Sequence, residues 1–218
     1  MNFTVISIFP QIFDGFLTSS IIGRAIAKKI IQVNFTNPRD FATDNYKSVD
    51  DKPYGGGSGM VMRADIVHSA LKSIKPKPYT ILLSASGKKY TQKMAQELSK
   101  KKNIALICGH YEGIDARVEE YVDEVISVGD YVTTGGEVPA MAIIDSVTRL
   151  IPGAITEGSL NTESFDENLL EAPQYTRPEE YEGKKVPQIL LSGNHKEIEK
   201  WRKEEAQKRT KKFRPDLI

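Results

Sequence analysis

An α/β fold with a mainly parallel sheet is predicted for roughly residues 1–156, on three observations. Short β-rich runs recur, and several are almost continuously apolar, such as Ile81-Leu82-Leu83 and Ile104-Ala105-Leu106-Ile107-Cys108. Such runs suit strands covered on both faces. Helical periodicities fall between these runs, and strand and helix alternate along the chain, the signature of a parallel sheet with crossover helices.

The strand runs are Phe3–Phe9, Ile30–Phe35, Tyr79–Ser84, Asn103–Cys108 and Glu124–Val128. Ile66, Val67, Ala70, Leu71 and Ile74 follow the i, i+3, i+4, i+7 rule, with Asp65 near the start of that helix. Ala140, Ile143, Ile144, Val147 and Ile151 repeat the pattern, and Pro152-Gly153 stops it. Residues 157–182 lose all periodicity and carry Pro173 and Pro178, as a linker or ordering loop does. Asn194 then caps a last helix with Glu197 at its third position. Its only large apolar residues are Ile198 and Trp201, so it must lean on something else for stability. Three segments follow: 1–156, an acidic linker at 157–182, and a short basic helical part at 183–218.

Charge separates the same segments. Residues 1–156 hold 18 Lys/Arg against 16 Asp/Glu, residues 157–182 one against eight, and residues 184–218 eleven against five. A basic segment behind an acidic hinge suits a module that meets phosphate. A single cysteine, Cys108, excludes a disulfide scaffold, and no apolar stretch approaches the ~20 residues of a membrane span. The opening Met1–Phe13 has no basic residue before its apolar run and no small-residue cleavage site. The expectation is a soluble, cytoplasmic protein without a membrane partner.

Three glycine-rich segments are candidates for a ligand site: Tyr54–Met60, Cys108–Gly113 and Val128–Glu137. The last two follow predicted strands, and in an open α/β sheet such loops line the ligand crevice. No phosphate-loop motif occurs, and the Gly55–Gly59 run fails the dinucleotide pattern because Met60 stands where a glycine is required. Lysine and arginine are absent from all three loops. That composition favours an adenosine-like or cationic ligand, and S-adenosylmethionine, with its sulfonium, is one. The scattered histidines His68, His110 and His195 give no zinc site, while magnesium held by carboxylates stays open. Cys108, inside an apolar strand, reads as a core thiol. The carboxylates and the arginine left for chemistry are Asp50, Asp51, Glu112, Asp115, Asp130, Arg149, Glu163, Asp166 and Glu167.

These motifs taken together resemble one family nearly end to end, the bacterial tRNA (guanine-N1)-methyltransferases. The strings that carry the resemblance are Ile6–Pro10, Gly23–Ala25, Pro38–Phe41, Val49–Gly57, Cys108–Asp115, Gly129–Val132, Gly135–Met141, Tyr175–Pro178 and Leu190–His195. The resemblance implies a SPOUT-type fold, α/β with a deep trefoil knot at the cofactor site, plus a small α-helical C-terminal domain. It implies a homodimer whose active sites are built from both subunits, and methylation of N1 of guanosine 37 in tRNA.

S-adenosylmethionine would lie against Leu83, Ser84, Gly109, Glu112, Gly135 and the stretch Val128, Gly129, Asp130, Tyr131, Val132 and Thr133. The family's catalytic base, an aspartate before a Ser-Phe pair, falls on Glu163, with Asp166 as the neighbouring carboxylate. The helix-end arginine falls on Arg149. Asp50, Gly55, Gly57 and Gly59 would meet the substrate, and Lys196 and Arg202 belong to a helix able to track its phosphates. The other readings are an RNA-binding protein of the same fold without catalysis, and a knotted methyltransferase acting on ribose or another base.

Overall fold

The computed structural model describes residues 1–156, 164–165 and 168–218, and the chain divides into two compact units, Met1–Thr156 and Glu157–Ile218. The strands of the first are β1 (Asn2–Ile6), β2 (Gln32–Thr36), β3 (Asp50–Asp51), β4 (Val61–Met62), β5 (Tyr79–Lys89), β6 (Asn103–Cys108) and β7 (Glu124–Ser127). Its helices are α1 (Asp14–Thr18), α2 (Ser20–Ala27), α3 (Ala64–Ser73), α4 (Gln92–Leu98) and α5 (Glu137–Arg149). Five strands form one sheet in the order β2-β1-β6-β5-β7, and every pairing in it is parallel. The two-residue strands β3 and β4 make a separate antiparallel ladder, with Asp50 opposite Met62.

The apolar strands are covered on both faces, and side chains alternate between two cores as the pleat requires. Ile104, Leu106 and Cys108 of β6 join Phe3, Val5, Ile81, Leu83 and Ile126 beneath Phe13, Ile22, Ala25, Leu98, Ile143, Ile144 and Val147. Ala105 and Ile107 join Ile6 and Leu82 on the opposite face, under Met62, Ile66, Val67, Ala70, Leu71 and Val118. The centre of β6 is therefore apolar at each position. Burying one such leucine contributes about 1.5–3 kcal/mol.

Several boundaries differ from the sequence expectation for local reasons. The first strand ends at Ile6, because the Ser7 hydroxyl takes the Phe9 N–H (2.9 Å) and Pro10 opens a one-turn helix. The second begins at Gln32, since the N–H groups of Ile30 and Ile31 both bond to Ala25 O, closing the end of α2. Helices α1, α2 and α4 stand where no helix was expected. Their apolar faces are short, with Ile22 and Ala25 buried in α2 and Ala95 and Leu98 in α4.

The second unit contains the hairpin β8 (Glu180–Tyr181) and β9 (Lys184–Lys185) and the helices α6 (Gln188–Leu191) and α7 (His195–Phe213). Asn194 caps α7 by accepting the Glu197 N–H at 3.4 Å, as the capping pattern predicts. The division expected after residue 182 falls inside the Glu182-Gly183 turn of the hairpin, where both φ angles are positive. The described part of the acidic segment packs within this unit as well. The buried Thr210 hydroxyl of α7 accepts the Leu170 N–H at 2.9 Å, and Ser164 Oγ accepts the Glu171 N–H at 3.2 Å. Polar turns of this kind leave no periodic trace, so the segment reads as a linker.

β5 runs beyond its expected end because Ile126 of β7 is in register with both Leu83 and Lys88, the residues between them bulging out. Gly87 crosses directly over β7, and a Cβ there would meet Ile126 N at 2.5 Å and Val125 C at 2.6 Å. Backbone on backbone has no soft neighbour to yield. Gly87→Ala is therefore expected to destabilise the fold by about 1–3 kcal/mol or more in urea unfolding. A change within 0.5 kcal/mol would mean the crossing is not tight.

Candidate functional site

One cavity of the first unit opens beyond the ends of the parallel strands β6 and β7 and beside the bulge of β5, the side of an open α/β sheet on which ligands bind. Its walls are residues 82–85 of β5, the 109–114 loop after β6, and residues 126–129 and 131–136 at and after the end of β7, with Pro139 of α5 behind. The sequence shapes each wall locally. Ser127 Oγ donates to Gly129 O (3.0 Å) and accepts the Gly129 N–H (3.3 Å). Thr133 Oγ1 donates to Gly135 O (2.8 Å), and the Gly113 N–H closes a turn on His110 O (3.1 Å). Gly136 joins two walls: its N–H donates to Gly109 O at 2.9 Å, and a Cβ on it would meet Cys108 Cα at 2.5 Å. A side chain at Gly129 would strike the Tyr131 ring.

Among the described residues no lysine or arginine lines the cavity, and two exposed carboxylates, Glu112 and Glu119, do. A third carboxylate, Glu137, is buried just behind the wall at the first position of α5. The chemistry on offer is backbone hydrogen bonding with a negative bias. It suits a neutral or cationic ligand and disfavours a phosphate.

The segment that joins β3 and β4 packs against the 112–115 loop, outside the cavity lining. Met60 O accepts the Glu112 N–H (3.0 Å), Gly113 O accepts the Met62 N–H (2.9 Å), and Met62 O accepts the Asp115 N–H (3.0 Å). Gly59, at φ +83°, lies against the Glu112 side chain, so a side chain at this position would collide with it. Gly55 and Gly57 also have positive φ but face open space at the tip, beside the fully exposed Tyr54. Asp50 is half-buried on β3. Asp115 is held down to about 2 by the Arg117 guanidinium, which approaches to 2.6 Å. That leaves it an anion that caps the following turn through the Arg117 N–H, committed to structure.

Ten of the residues expected around a cofactor share this cavity: Leu83, Ser84, Gly109, Glu112, Val128, Gly129, Tyr131, Val132, Thr133 and Gly135. Asp130 does not line it: its exposed carboxylate meets Lys89 at 3.2 Å, while its neighbours Gly129 and Tyr131 face the cavity. Arg149 is not brought to the cavity within one chain. It ends the helix whose first residue is Glu137, and twelve residues at about 1.5 Å each separate them by about 18 Å. Glu163, Asp166 and Glu167 lie outside the described residues. Lys196 and Arg202 are exposed on α7 in the second unit, where Arg202 borders a groove with Tyr175, Arg177, Leu190 and Ile198. Among the described residues no group of three His, Cys, Asp or Glu could hold a metal ion. Among them, too, no helix is long and apolar enough to cross a membrane.

Sequence reasoning missed Ser7 and the burial of Glu137, and gave no role to His110. Glu137 closes a glycine segment and opens a helix, which is a legible signal. Ser7 carried none, because its partner is 130 residues away.

The profile of the family described as tRNA (Guanine-1)-methyltransferase TrmD matches residues 1–218. The chain belongs to the TrmD family. A curated relative from Ruminiclostridium cellulolyticum, named tRNA (guanine-N(1)-)-methyltransferase, is 53% identical over 100% of this chain and 96% of its own length. Relatives of the same name from Clostridioides difficile (50%, covering 97% of the relative) and Carboxydothermus hydrogenoformans (51%, covering 87%) also match the whole chain. Within this TrmD family member the cysteine reads as expected. Cys108 is 1% exposed, and burial, followed by the nearby Glu137 charge, pushes its thiol well above the usual range.

Cys108 is accordingly expected to resist a thiol-specific disulfide reagent at pH 8 in the native protein and to react fully in urea. Fast native labelling would show that the β6 end is open.

Proposed function

We propose that this chain transfers the methyl group of S-adenosylmethionine to N1 of guanosine 37 in tRNA. The observation that carries the reading is the cavity of glycine-rich loops, free of lysine and arginine and bordered by Glu112 and Glu119, in a chain of the TrmD family. Its walls fit the donor: backbone groups of Gly109, Val128, Gly129 and Gly135 suit a neutral adenosine, and the carboxylates suit a sulfonium. Leu83, Ser84, Tyr131, Val132 and Thr133 complete the enclosure. When bound, S-adenosylmethionine supplies a methyl carbon activated by its positively charged sulfur.

The protein's own part is proton and charge management. Guanine N1 carries a proton at neutral pH, so a carboxylate must remove it as N1 attacks. Glu163 has that role in this reading, with Asp166 as the neighbouring candidate. Negative charge then grows on O6, and the Arg149 guanidinium offsets it. Arg149 stands about 15 Å along α5 from Pro139, the α5 residue at the cavity of its own chain, which supports a homodimer in which a second copy supplies it.

The SPOUT-type trefoil knot belongs to the same reading. What supports it is the match to the TrmD family over residues 1–218. Residues 183–218 serve as the tRNA-binding part, with Lys196 and Arg202 on the phosphate backbone. Asp50 and the Gly55, Gly57 and Gly59 loop face the target base.

Two experiments test this. Methyl transfer from labelled S-adenosylmethionine to tRNA transcripts carrying guanosine or adenosine at position 37 is expected to label the first alone. Label on both would move the reaction to another address. Label on neither, with donor binding intact, would favour the RNA-binding protein without catalysis. Glu163→Gln is expected to lower kcat by 10² to 10⁴-fold with donor affinity nearly unchanged. Full activity in that variant would move the base to Asp166, whose Asn variant then carries the loss.

A further inference from the structure

Glu137 is the one strongly buried carboxylate of the described residues, 2% exposed, and the mechanism above makes no use of it. Burying a charge is costly unless it is well partnered. The Ser7 hydroxyl, itself fully buried, donates to Glu137 Oε1 at 2.7 Å while accepting the Phe9 N–H at 2.9 Å. The position at the start of α5 adds the positive end of the helix dipole. The other oxygen, Oε2, stands 3.9 Å from His110 Nε2, and a side chain on Gly135 would collide with it. His110 and Gly135 both line the cavity. A negative charge is thus fixed one residue's thickness behind the wall, tied to the end of β1 by a contact spanning 130 residues of sequence.

A glutamine has the same shape and would still accept the Ser7 bond, so shape alone does not call for an acid here. We propose that Glu137 is the donor-selecting residue of the cavity. Its buried charge favours the cationic methyl donor over the neutral thioether product, and Ser7 positions it. The inference rests on the reading of the cavity as the donor site. The charge acts through low-dielectric protein, where a single charge at such range shifts affinity on the order of tenfold. The exposed Glu112 and Glu119 are screened by water and salt.

The test is the affinity of the full-length protein for S-adenosylmethionine and for S-adenosylhomocysteine, each by titration calorimetry. Glu137→Gln is expected to weaken the donor on the order of tenfold and the product less than twofold. Ser7→Ala leaves the acid in place but removes the hydroxyl that orients it, and both ligands are expected to weaken by the same factor. A donor-to-product ratio unchanged in Glu137→Gln overturns the inference, as does an equal change of that ratio in Ser7→Ala.

Should Glu137→Gln fail to fold, the wild type decides. The ratio measured in 0.1 M and 1 M KCl is expected to hold, because a buried charge escapes screening. Its collapse in salt would assign the selectivity to Glu112 and Glu119 and overturn the proposal. A wild type that binds neither ligand removes the donor reading itself, whereas a wild type that binds both with no effect of Glu137→Gln removes only this inference.

Discussion

The structure of the first unit depends on one close approach, that of the start of α5 to the end of β6. Gly136 sits so near Cys108 Cα that even a methyl group would not fit, and its N–H bonds to Gly109 O. This contact fixes where α5 begins. The beginning of α5 in turn fixes the two cavity walls that flank it and brings Glu137 under Ser7. A sheet buried on both faces supplies the rigidity that makes so tight a fit tolerable, because close-packed interiors transmit strain instead of absorbing it. The cavity is therefore a by-product of helix packing, with its loops held by backbone bonds and by short Ser and Thr side chains.

Electrostatics divides the labour between the two units. The first is nearly neutral overall, yet the lining of its cavity is free of cations and carries carboxylates. The second ends in a helix dense in lysine and arginine. Under the proposed function this arrangement keeps an RNA backbone out of the donor pocket by like-charge repulsion while drawing it to α7, a use of unfavourable contacts to sort two substrates. A cavity built for a nucleotide phosphate would need the opposite lining.

The sequence carried the sheet well and the site in part. Continuous apolar runs in β5 and β6 were legible because both faces of those strands are covered, so periodicity was not needed. The loops were legible because glycines clustered at strand ends mark backbone that must turn sharply or be approached closely. Short helices such as α2 escaped notice, since two buried residues make no pattern. Asp130 stays off the cavity lining because neighbours in an irregular loop point different ways, and its carboxylate meets Lys89. The tie between Ser7 and Glu137 had no sequence signal, for it exists only once β1 and α5 are packed together.

The length of α5 carries the last step. A helix of thirteen residues is a stiff spacer, and its two ends cannot approach each other. Glu137 at one end stands behind the cavity, while Arg149 at the other is held about 18 Å away. If both ends serve one reaction, they serve it in different active sites, each helix supplying its start to its own cavity and its end to a neighbour's. A twofold arrangement satisfies this with a single interface used twice, the commonest symmetry of soluble oligomers. The proposed homodimer is compatible with this helix geometry once Arg149 is given a chemical role. A monomer that methylated tRNA at full rate would strip Arg149 of that role.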